Sequence, residues 1–274
     1  MTDTSDIPLP ALDGWALILG ASSGFGESAA LTLAEAGLDI IGVHLDRRAT
    51  MPNVERIAST IRERGREAWF FNVNAADAEK RPEVLDEVAR RFRERGKSER
   101  IRILLHSLAF GTLKPLVSDP PGDQVSNKQM DMTLDVMAHS LVYWVQDVMM
   151  RDLFMQHGRV YAMTSTGSTQ VWKGYGAVSA AKAALESHIR QLALEIGPRG
   201  ITANAICAGV TDTPALRKIP DNNAMVEVAI RKNPSRRLTR PEDVARALVA
   251  LAHPCTYWLN GNVLYVDGGE AHSG

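Results

Sequence analysis

Short apolar runs alternate with helix-type segments along almost the whole chain, and this alternation limits the possible fold more than any other feature. Each apolar run is followed by turn residues and then by a segment with apolar residues at helical spacing. Strands that alternate with helices in this way form βαβ units, which build a parallel sheet covered by helices on both faces. The pattern therefore predicts an α/β fold.

The predicted elements follow one another without a linker, an internal repeat or a low-complexity tract. We predict strands at residues 15–19, 39–45, 68–73, 101–105, 158–163, 201–207 and 262–266, and helices at residues 25–36, 53–64, 78–95, 129–156, 174–196, 224–231 and 241–252. Residues 1–13 are predicted to form a flexible N-terminal tail. Residues 14–274 are predicted to form a single-domain, doubly wound (Rossmann) parallel sheet with helices on both faces.

The composition excludes several other classes of protein. Of the 274 residues, 45% are hydrophobic and 23% are charged, which is typical of a globular chain and not of a disordered one. A net charge of -1 argues against a nucleic-acid-binding protein. Cys207 and Cys255 are too few for a disulfide framework or a zinc site, so we predict no metal site.

We also expect no segment that directs the chain into or across a membrane. No apolar run reaches the ~20 residues that a membrane helix needs. The first residues are acidic and contain proline, unlike a signal peptide. We therefore expect a soluble, cytoplasmic protein that binds no membrane.

Three glycines, Gly20, Gly24 and Gly26, stand between the first predicted strand and the first predicted helix. Glycines here let the backbone turn tightly and approach a pyrophosphate, which then binds at the positive end of the helix dipole. A purely structural turn is the alternative interpretation. The position of the glycines in the first βα unit favours a dinucleotide-binding loop.

The glycine loop and three later segments resemble the short-chain dehydrogenase/reductase family. The glycines match the family's Gly-x-x-x-Gly-x-Gly loop, and residues 71–73 lie where family members contact adenine. Residues 208–213 resemble the turn that holds the nicotinamide carboxamide, and residues 266–269 resemble the family's carboxy-terminal signature. The resemblance covers about residues 14–269. It implies an NAD(P) site formed by Gly20, Ser22, Ser23, Gly24, Phe25, Gly26, His44, Asp46, Arg47, Arg48, Asn72, Val73, Ser107, Leu108, Ala109, Lys182, Gly209, Thr211 and Thr213.

The expected catalytic pair departs from the common family pattern. Most members place a tyrosine four residues before the catalytic lysine, but here Val178 stands four before Lys182 and the tyrosine is Tyr175, seven before it. Positions i and i+7 of an α-helix lie on nearly the same face, and three residues move a side chain by ~4.5 Å along the axis. This Tyr-x6-Lys arrangement resembles the enoyl-acyl-carrier-protein reductases of bacterial fatty acid synthesis.

Further segments agree with that branch of the family. Residues 106–111 are similar to a His-Ser-x-Gly-Phe segment of enoyl reductases, and Asp135 stands where ordinary members have a catalytic asparagine. Residues 182–186 and 212–216 are similar to NADPH-using enoyl reductases of some Gram-positive bacteria. Ser165 keeps the family's serine position, seventeen before Lys182. Asp135 is equally well interpreted as a solvated helix residue, and we interpret His106 as a residue that shapes the strand end and not as a base.

The resemblance implies a mechanism for Tyr175, Lys182 and Ser165. In the reduction of a 2-enoyl thioester, hydride adds to the β carbon and negative charge develops on the thioester oxygen, where a hydrogen-bond donor is needed. We assign that donor to the Tyr175 hydroxyl, acting directly or through water. Lys182 is expected to favour the phenolate and to bind the nicotinamide ribose, and Ser165 to orient the oxygen or a water. Ordinary packing of Tyr175 at a helix start is the structural alternative.

The preferred dinucleotide depends on the end of the second predicted strand. His44 occupies the position of the acidic residue that binds the adenosine ribose in NAD-specific members, and Asp46, Arg47 and Arg48 follow it. Two guanidinium groups suit a 2′-phosphate, whereas Asp46 either acts against it or pairs with the arginines. NADP(H) is favoured, with NAD(H) as the alternative.

Two regions bear on partners. The substrate-covering insertion expected at about residues 214–240 is rich in lysine and arginine, which suits either an acyl carrier protein or coenzyme A, or simply a solvated surface. The predicted central helix is rich in methionine and resembles the family's subunit interface, so we expect a homo-oligomer, a tetramer or dimer; core packing is the alternative. These methionines are Met130, Met132, Met137, Met149, Met150 and Met155.

The expected function is therefore NAD(P)H-dependent reduction of the C=C bond of 2-enoyl-acyl thioesters in fatty acid synthesis. One alternative is a carbonyl reductase or alcohol dehydrogenase of the same family, acting on a 3-oxoacyl thioester, a ketone or a steroid. A second alternative, from another class, is a non-catalytic dinucleotide-binding scaffold. The presence of both Tyr175 and Lys182 argues against the scaffold, because binding alone does not require that pair.

Overall fold

A seven-stranded, wholly parallel sheet forms the centre of the molecule. The computed structural model describes residues 8–96 and 99–273. The strands have the order β3-β2-β1-β4-β5-β6-β7, and their bounds are β1 Trp15–Leu19, β2 Asp39–His44, β3 Ala68–Asn72, β4 Ile101–His106, β5 Phe154–Thr164, β6 Thr202–Ala208 and β7 Val263–Val266. Because the strand order reverses between β1 and β4, the carboxyl ends of these two strands flank the crevice in which such sheets bind ligands.

Helices cover both faces of the sheet, as the alternating pattern predicts. Their bounds are α1 Gly24–Glu35, α2 Met51–Glu63, α3 Lys80–Arg95, α4 Asn127–Leu134, α5 Ser140–Met150, α6 Gly176–Ile196, α7 Asn222–Lys232 and α8 Pro241–Leu251. Neighbouring residues of each central strand enter opposite apolar layers: Leu17 packs with α3, α5 and α6, and Ile18 packs with α1, α2 and α8. The predicted doubly wound α/β fold is confirmed. None of the described helices is long and apolar enough to cross a membrane.

The predicted central helix at residues 129–156 is wrong in two respects. It is divided into α4 and α5 by a π-helical turn, Asp135–His139, where the Ser140 hydroxyl donates to the Val136 carbonyl oxygen at 2.8 Å. It also ends at Met150, because the backbone reverses at Asp152, whose φ is 51°, a value incompatible with a continuing helix. Residues 154–157 instead extend β5, so Met155 lies in a strand.

The predicted N-terminal tail extends too far. Residues 1–7 lie outside the described part of the chain. Leu12, however, is only 8% exposed, and its backbone N–H donates to the Ala36 carbonyl oxygen at 2.7 Å. Asp13 accepts hydrogen bonds from the buried Arg102 guanidinium through its carbonyl and carboxylate oxygens. Residues 12 and 13 are thus part of the packed domain.

Candidate active site

The glycine loop between β1 and α1 is shaped by contacts that no side chain would permit. Gly20 has a φ of 88°, and a methyl group on it would lie 2.5 Å from the Ser107 carbonyl oxygen. A methyl group on Gly26 would overlap the Gly20 carbonyl oxygen and lie 2.8 Å from its carbon. The loop therefore packs against its own backbone and against the carboxyl end of β4. Its bare backbone at the start of α1 is what binding of a pyrophosphate requires.

Three loops that the sequence assigns to the cofactor meet at this edge of the sheet. Leu108 follows Ser107 and approaches Gly20, while the Thr213 side chain lies beside Gly24. Ser22 presents its carbonyl oxygen to the Asn53 amide at 2.9 Å, which ties the loop to α2. The remaining predicted cofactor residues of these loops are Ser23, Phe25, Ala109, Gly209 and Thr211. The structure thus brings the β1, β4 and β6 loops together in a cradle at the edge of the sheet where the sequence predicts a dinucleotide.

The end of β2 holds a fixed carboxylate. His44 Nδ1 donates to Asp46 Oδ2 at 2.9 Å. The Asn72 side chain binds the Asp46 backbone at both its N–H and its carbonyl oxygen, at 2.9 and 3.0 Å. Val73 donates its N–H to the His44 carbonyl oxygen at 2.8 Å. Burial acts to raise the pKa of Asp46. Hydrogen bonds with neighbouring hydroxyls, one of them on Ser22, and with His44 act in the other direction and prevail, so the pKa is lowered and the carboxylate stays ionised.

Asp46 therefore pairs with His44 and not with the arginines that follow it. Burial lowers the pKa of His44, with Asp46 acting in the opposite direction, so the imidazole is the neutral donor of this pair. Within residues 8–96 and 99–273, the exposed guanidinium groups of Arg47 and Arg48 have no hydrogen-bond or ion-pair partner. Both are free to meet a phosphate at this edge.

Lys182 is buried at the carboxyl end of β5. Only 6% of the residue is exposed, and its Nζ donates to the Met163 carbonyl oxygen at 2.6 Å. Burial lowers the pKa of Lys182 to about 8, while Glu186 and Cys207 act to raise it. The Lys182 side chain is thus held at the Met163 carbonyl oxygen, two residues before Ser165.

Tyr175 is the residue directly before α6. The sequence predicts a helix from residue 174, which would have placed Tyr175 inside it. Its φ and ψ are −95° and 0°, and α6 begins at Gly176. The ring packs on Gly167, where a methyl group would lie 2.5 Å from Tyr175 Cε1 and 3.1 Å from Ser165 Oγ. The buried Ser165 hydroxyl has no hydrogen-bond partner among the described residues. The chain thus gathers Tyr175, Ser165 and Lys182 around residues 163–167.

The charge state of Tyr175 differs from the sequence-based expectation. Burial raises the pKa of Tyr175, and the neighbouring Ser165 hydroxyl opposes this without reversing it. The Lys182 charge, which the resemblance implies would favour the phenolate, is not among the influences on this pKa within the described part of the chain. Tyr175 is therefore a neutral phenol at physiological pH, with a proton to donate.

Two other candidate residues, His106 and Asp135, lie at the end of β4 and at the end of α4. His106 is fully buried, its Nε2 lies 2.9 Å from Ser140 Oγ, and burial with the Lys182 charge lowers its pKa to about 3. It is therefore a poor base, in agreement with the interpretation of His106 as a strand-end residue. Asp135 heads the π-helical turn and is half-buried, an arrangement that leaves its role a prediction.

Sequence reasoning missed two further contacts around the site. The buried Glu270 carboxylate accepts the Val210 N–H with both oxygens, at 3.2 and 3.3 Å, and so fixes the loop after β6. The Trp172 indole N–H donates to the Pro220 carbonyl oxygen at 3.1 Å and ties the turn before α6 to the predicted insertion. The sequence signal that could have identified Glu270 is its position directly after the carboxy-terminal motif.

The predicted insertion contains a short 3-10 turn and α7. Two of its arginines are paired: Arg217 with Asp212 at 2.8 Å and Arg237 with Asp243 at 2.5 Å. Its other cationic side chains form no ion pair with a described carboxylate: Lys218, Arg231, Lys232, Arg236 and Arg240.

Comparison with known proteins agrees with this geometry. Residues 20–270 match the family model described as "Enoyl-(Acyl carrier protein) reductase". An uncharacterized oxidoreductase of Mycobacterium tuberculosis is 32% identical over 269 residues, which cover 94% of this chain and 92% of that protein. The 3-oxoacyl-[acyl-carrier-protein] reductase FabG of Aggregatibacter actinomycetemcomitans is 28% identical over 253 residues, covering 92% and 97% of the two chains.

A solved structure shows the same architecture. A short-chain dehydrogenase from Burkholderia cenocepacia, determined in complex with NADP, superposes with a TM-score of 0.80 at 25% sequence identity. The superposition covers 94% of this chain and 98% of that one. The cradle, the buried lysine and the tyrosine therefore occur within a fold that is known to hold a nicotinamide dinucleotide.

Proposed function

Because the chain belongs to the short-chain dehydrogenase/reductase family and is an NAD(P)H-dependent oxidoreductase, we propose that it reduces the C=C bond of 2-enoyl-acyl thioesters. The observation that supports this most strongly is which side chain stands beside Ser165. Tyr175, seven residues before Lys182, packs there. Val178, four residues before Lys182, is buried in an apolar cluster with Met137 and Ala181. The proton donor thus sits at the start of α6, one turn earlier than in a Tyr-x3-Lys site.

The chemistry proposed for these residues follows from their protonation states. A bound NAD(P)H supplies the hydride when the enzyme is loaded. As charge develops on the thioester oxygen, the neutral Tyr175 phenol donates a hydrogen bond or its proton to it, and Ser165 offers a second donor. The Lys182 ammonium adds positive charge to the same region, and we propose that it binds the nicotinamide ribose. Exclusion of water from this buried set strengthens each interaction.

The surroundings of Tyr175 suit an acyl chain. Leu113 and Met132 pack in the same apolar cluster as Val178, and Leu116 covers Gly176 at the start of α6. Several large apolar side chains on the two loops that flank Tyr175 are exposed to solvent: Phe110, Leu116, Val117 and Val171. An apolar rim of this kind favours a hydrocarbon substrate over a sugar or another polar ligand.

The insertion after β6 suits an acidic thioester carrier. Its exposed cations attract either an acyl carrier protein or the phosphates of coenzyme A, and we propose one of these as the carrier. Steering of this kind weakens as salt concentration rises, since exposed charges are screened beyond about 8 Å at physiological ionic strength.

Reduction of a C=O group is the second candidate. Ser165 keeps the position it has in ordinary family members, and the FabG relative is named for 3-oxoacyl reduction. The test is the rate of NADPH and NADH oxidation with crotonyl-coenzyme A and with acetoacetyl-coenzyme A, measured in parallel. We expect faster turnover of the enoyl thioester. Turnover of acetoacetyl-coenzyme A alone would contradict reduction of C=C and support reduction of C=O.

For the dinucleotide, we propose a preference for NADP(H). Replacing Arg47 and Arg48 together with alanine is expected to raise the KM for NADPH at least about tenfold, because charge-assisted hydrogen bonds to a phosphate are lost. The KM for NADH is expected to stay within about twofold, since NADH carries no 2′-phosphate. Steady-state titration of both dinucleotides measures this, with Arg93→Ala, an exposed arginine of α3, as the matched control. Equal changes for both dinucleotides would show that the arginines do not select between them.

A further inference from the structure

The last two residues of β5 hold two charged side chains of α6. The Met163 carbonyl oxygen accepts a hydrogen bond from Lys182 Nζ at 2.6 Å. The next residue, Thr164, donates its hydroxyl to Glu186 Oε1, also at 2.6 Å. Lys182 and Glu186 are four residues apart, so they lie on one face of α6 in successive turns. The end of the strand therefore fixes the lysine and the carboxylate on successive turns of one helix face, with no ion pair between them in the described part of the chain.

The other titratable groups near Lys182 are uncharged at neutral pH. On β4, His106 has its pKa lowered to about 3. On β6, burial raises the pKa of the Cys207 thiol to about 12. At the start of α6, Tyr175 is a neutral phenol. Among the described residues, Glu186 is the one carboxylate whose charge acts on the Lys182 ammonium.

We propose that Glu186 is a positioning residue that keeps Lys182 protonated at the working pH, and that Thr164 fixes the Glu186 carboxylate for this purpose. The inference rests on the proposed role of Lys182 in the reaction. The motif that contains Lys182 gives Glu186 no role. The position of the Glu186 carboxylate depends on its contact with Thr164, and so on how β5 packs against α6.

The sign of the effect follows from the two opposing influences on Lys182. Burial lowers the pKa of Lys182 to about 8, and the negative charge of Glu186 raises it against that loss of hydration. Removing the Glu186 charge therefore lowers the pKa of Lys182 further. Above neutral pH, a larger share of the lysines is then deprotonated, and the activity that depends on the ammonium is lost at a lower pH.

The first test is the pH dependence of kcat in Glu186→Gln, which keeps the size and the hydrogen-bond acceptor. We expect the ratio of kcat at pH 8 to kcat at pH 6.5 to fall at least about fivefold relative to the wild type. Thr164→Val is expected to move the ratio in the same direction by a smaller factor, and Thr164→Ser to restore it. Glu195→Gln, on the same helix and exposed, is the matched control.

A second readout does not depend on turnover. The rate at which Lys182 is acetylated by acetic anhydride, relative to a free amine and followed by mass spectrometry across pH, reports the fraction of unprotonated amine. In Glu186→Gln the rise in reactivity is expected to begin at lower pH than in the wild type. Both measurements use the full chain, and a melting curve shows whether each variant is folded.

The outcomes separate this inference from the proposed function. An active Glu186→Gln enzyme with an unchanged kcat ratio and an unchanged acetylation profile would overturn the role of Glu186. An unshifted Glu195→Gln profile beside a shifted Glu186→Gln profile would support it. If the wild type reduces no thioester, the proposed function fails, while the acetylation profile still decides whether Glu186 keeps Lys182 protonated.

Discussion

Replacing Tyr175 with phenylalanine is expected to lower kcat at least about a hundredfold, since general acid catalysis typically contributes factors of 10²–10⁴. The variant keeps the ring that packs on Gly167 and removes only the hydroxyl beside Ser165. Because Tyr175 lies outside the glycine cradle, the Kd for the dinucleotide is expected to change less than about twofold. Turnover with crotonyl-coenzyme A and quenching of protein fluorescence by NADPH measure the two quantities.

Tyr257→Phe is the matched control, because Tyr257 is exposed on the loop before β7 and distant in sequence from the site. It is expected to keep full turnover. Wild-type turnover in Tyr175→Phe would contradict the assignment of the proton donor, and it would favour a role for Tyr175 in packing alone. A non-catalytic scaffold predicts that same result, so the variant also tests the binding-only alternative.

Gly26→Ala is expected to weaken dinucleotide binding and to destabilise the fold. The added methyl group overlaps the Gly20 carbonyl oxygen, which is backbone and cannot move aside as a flexible side chain would. Overpacking of this kind costs about 1–3 kcal/mol, which lowers the Tm of a chain of this size by several degrees. The start of α1 must shift to relieve the overlap, so we expect the Kd for NADPH to rise at least about tenfold.

Gly122→Ala is the control for this second variant. Gly122 lies in the loop between β4 and α4, and nothing lies within 4 Å of the position that its Cβ would take. It is expected to leave the Tm and the Kd for NADPH unchanged. If Gly26→Ala bound NADPH with wild-type affinity, the glycine loop would be a structural turn and the dinucleotide would have to bind elsewhere. Calorimetric titration and thermal melting give both values.

Most of the fold was predictable because buried parallel strands have a strong local signature. β1 is predicted to the residue, and the other strands differ by one or two residues at an end, except β5. There the apolar residues within 148–155 fit a helix as well as a strand. The positive φ of Asp152, which ends the helix, and the packing of Phe154 in the core favour the strand. Neither is a property of the local pattern.

The candidate site was predictable where it depends on short motifs and unpredictable where it depends on distant contacts. The glycines and the spacing of Tyr175 from Lys182 are visible in the sequence. The neutral state of Tyr175 is not visible, because burial and not the neighbouring lysine decides it. The contact of Glu270 with Val210 joins residues 60 positions apart, and that of Thr164 with Glu186 depends on the packing of β5 on α6.

The most direct test of the proposed function is to identify the product formed from crotonyl-coenzyme A and NADPH deuterated at carbon 4. We predict butyryl-coenzyme A with deuterium at carbon 3 and a solvent-derived proton at carbon 2, seen by mass spectrometry and NMR. Unchanged crotonyl-coenzyme A would contradict it, if the same enzyme preparation converts acetoacetyl-coenzyme A to 3-hydroxybutyryl-coenzyme A. The site would then reduce C=O, with Tyr175 donating to the ketone oxygen.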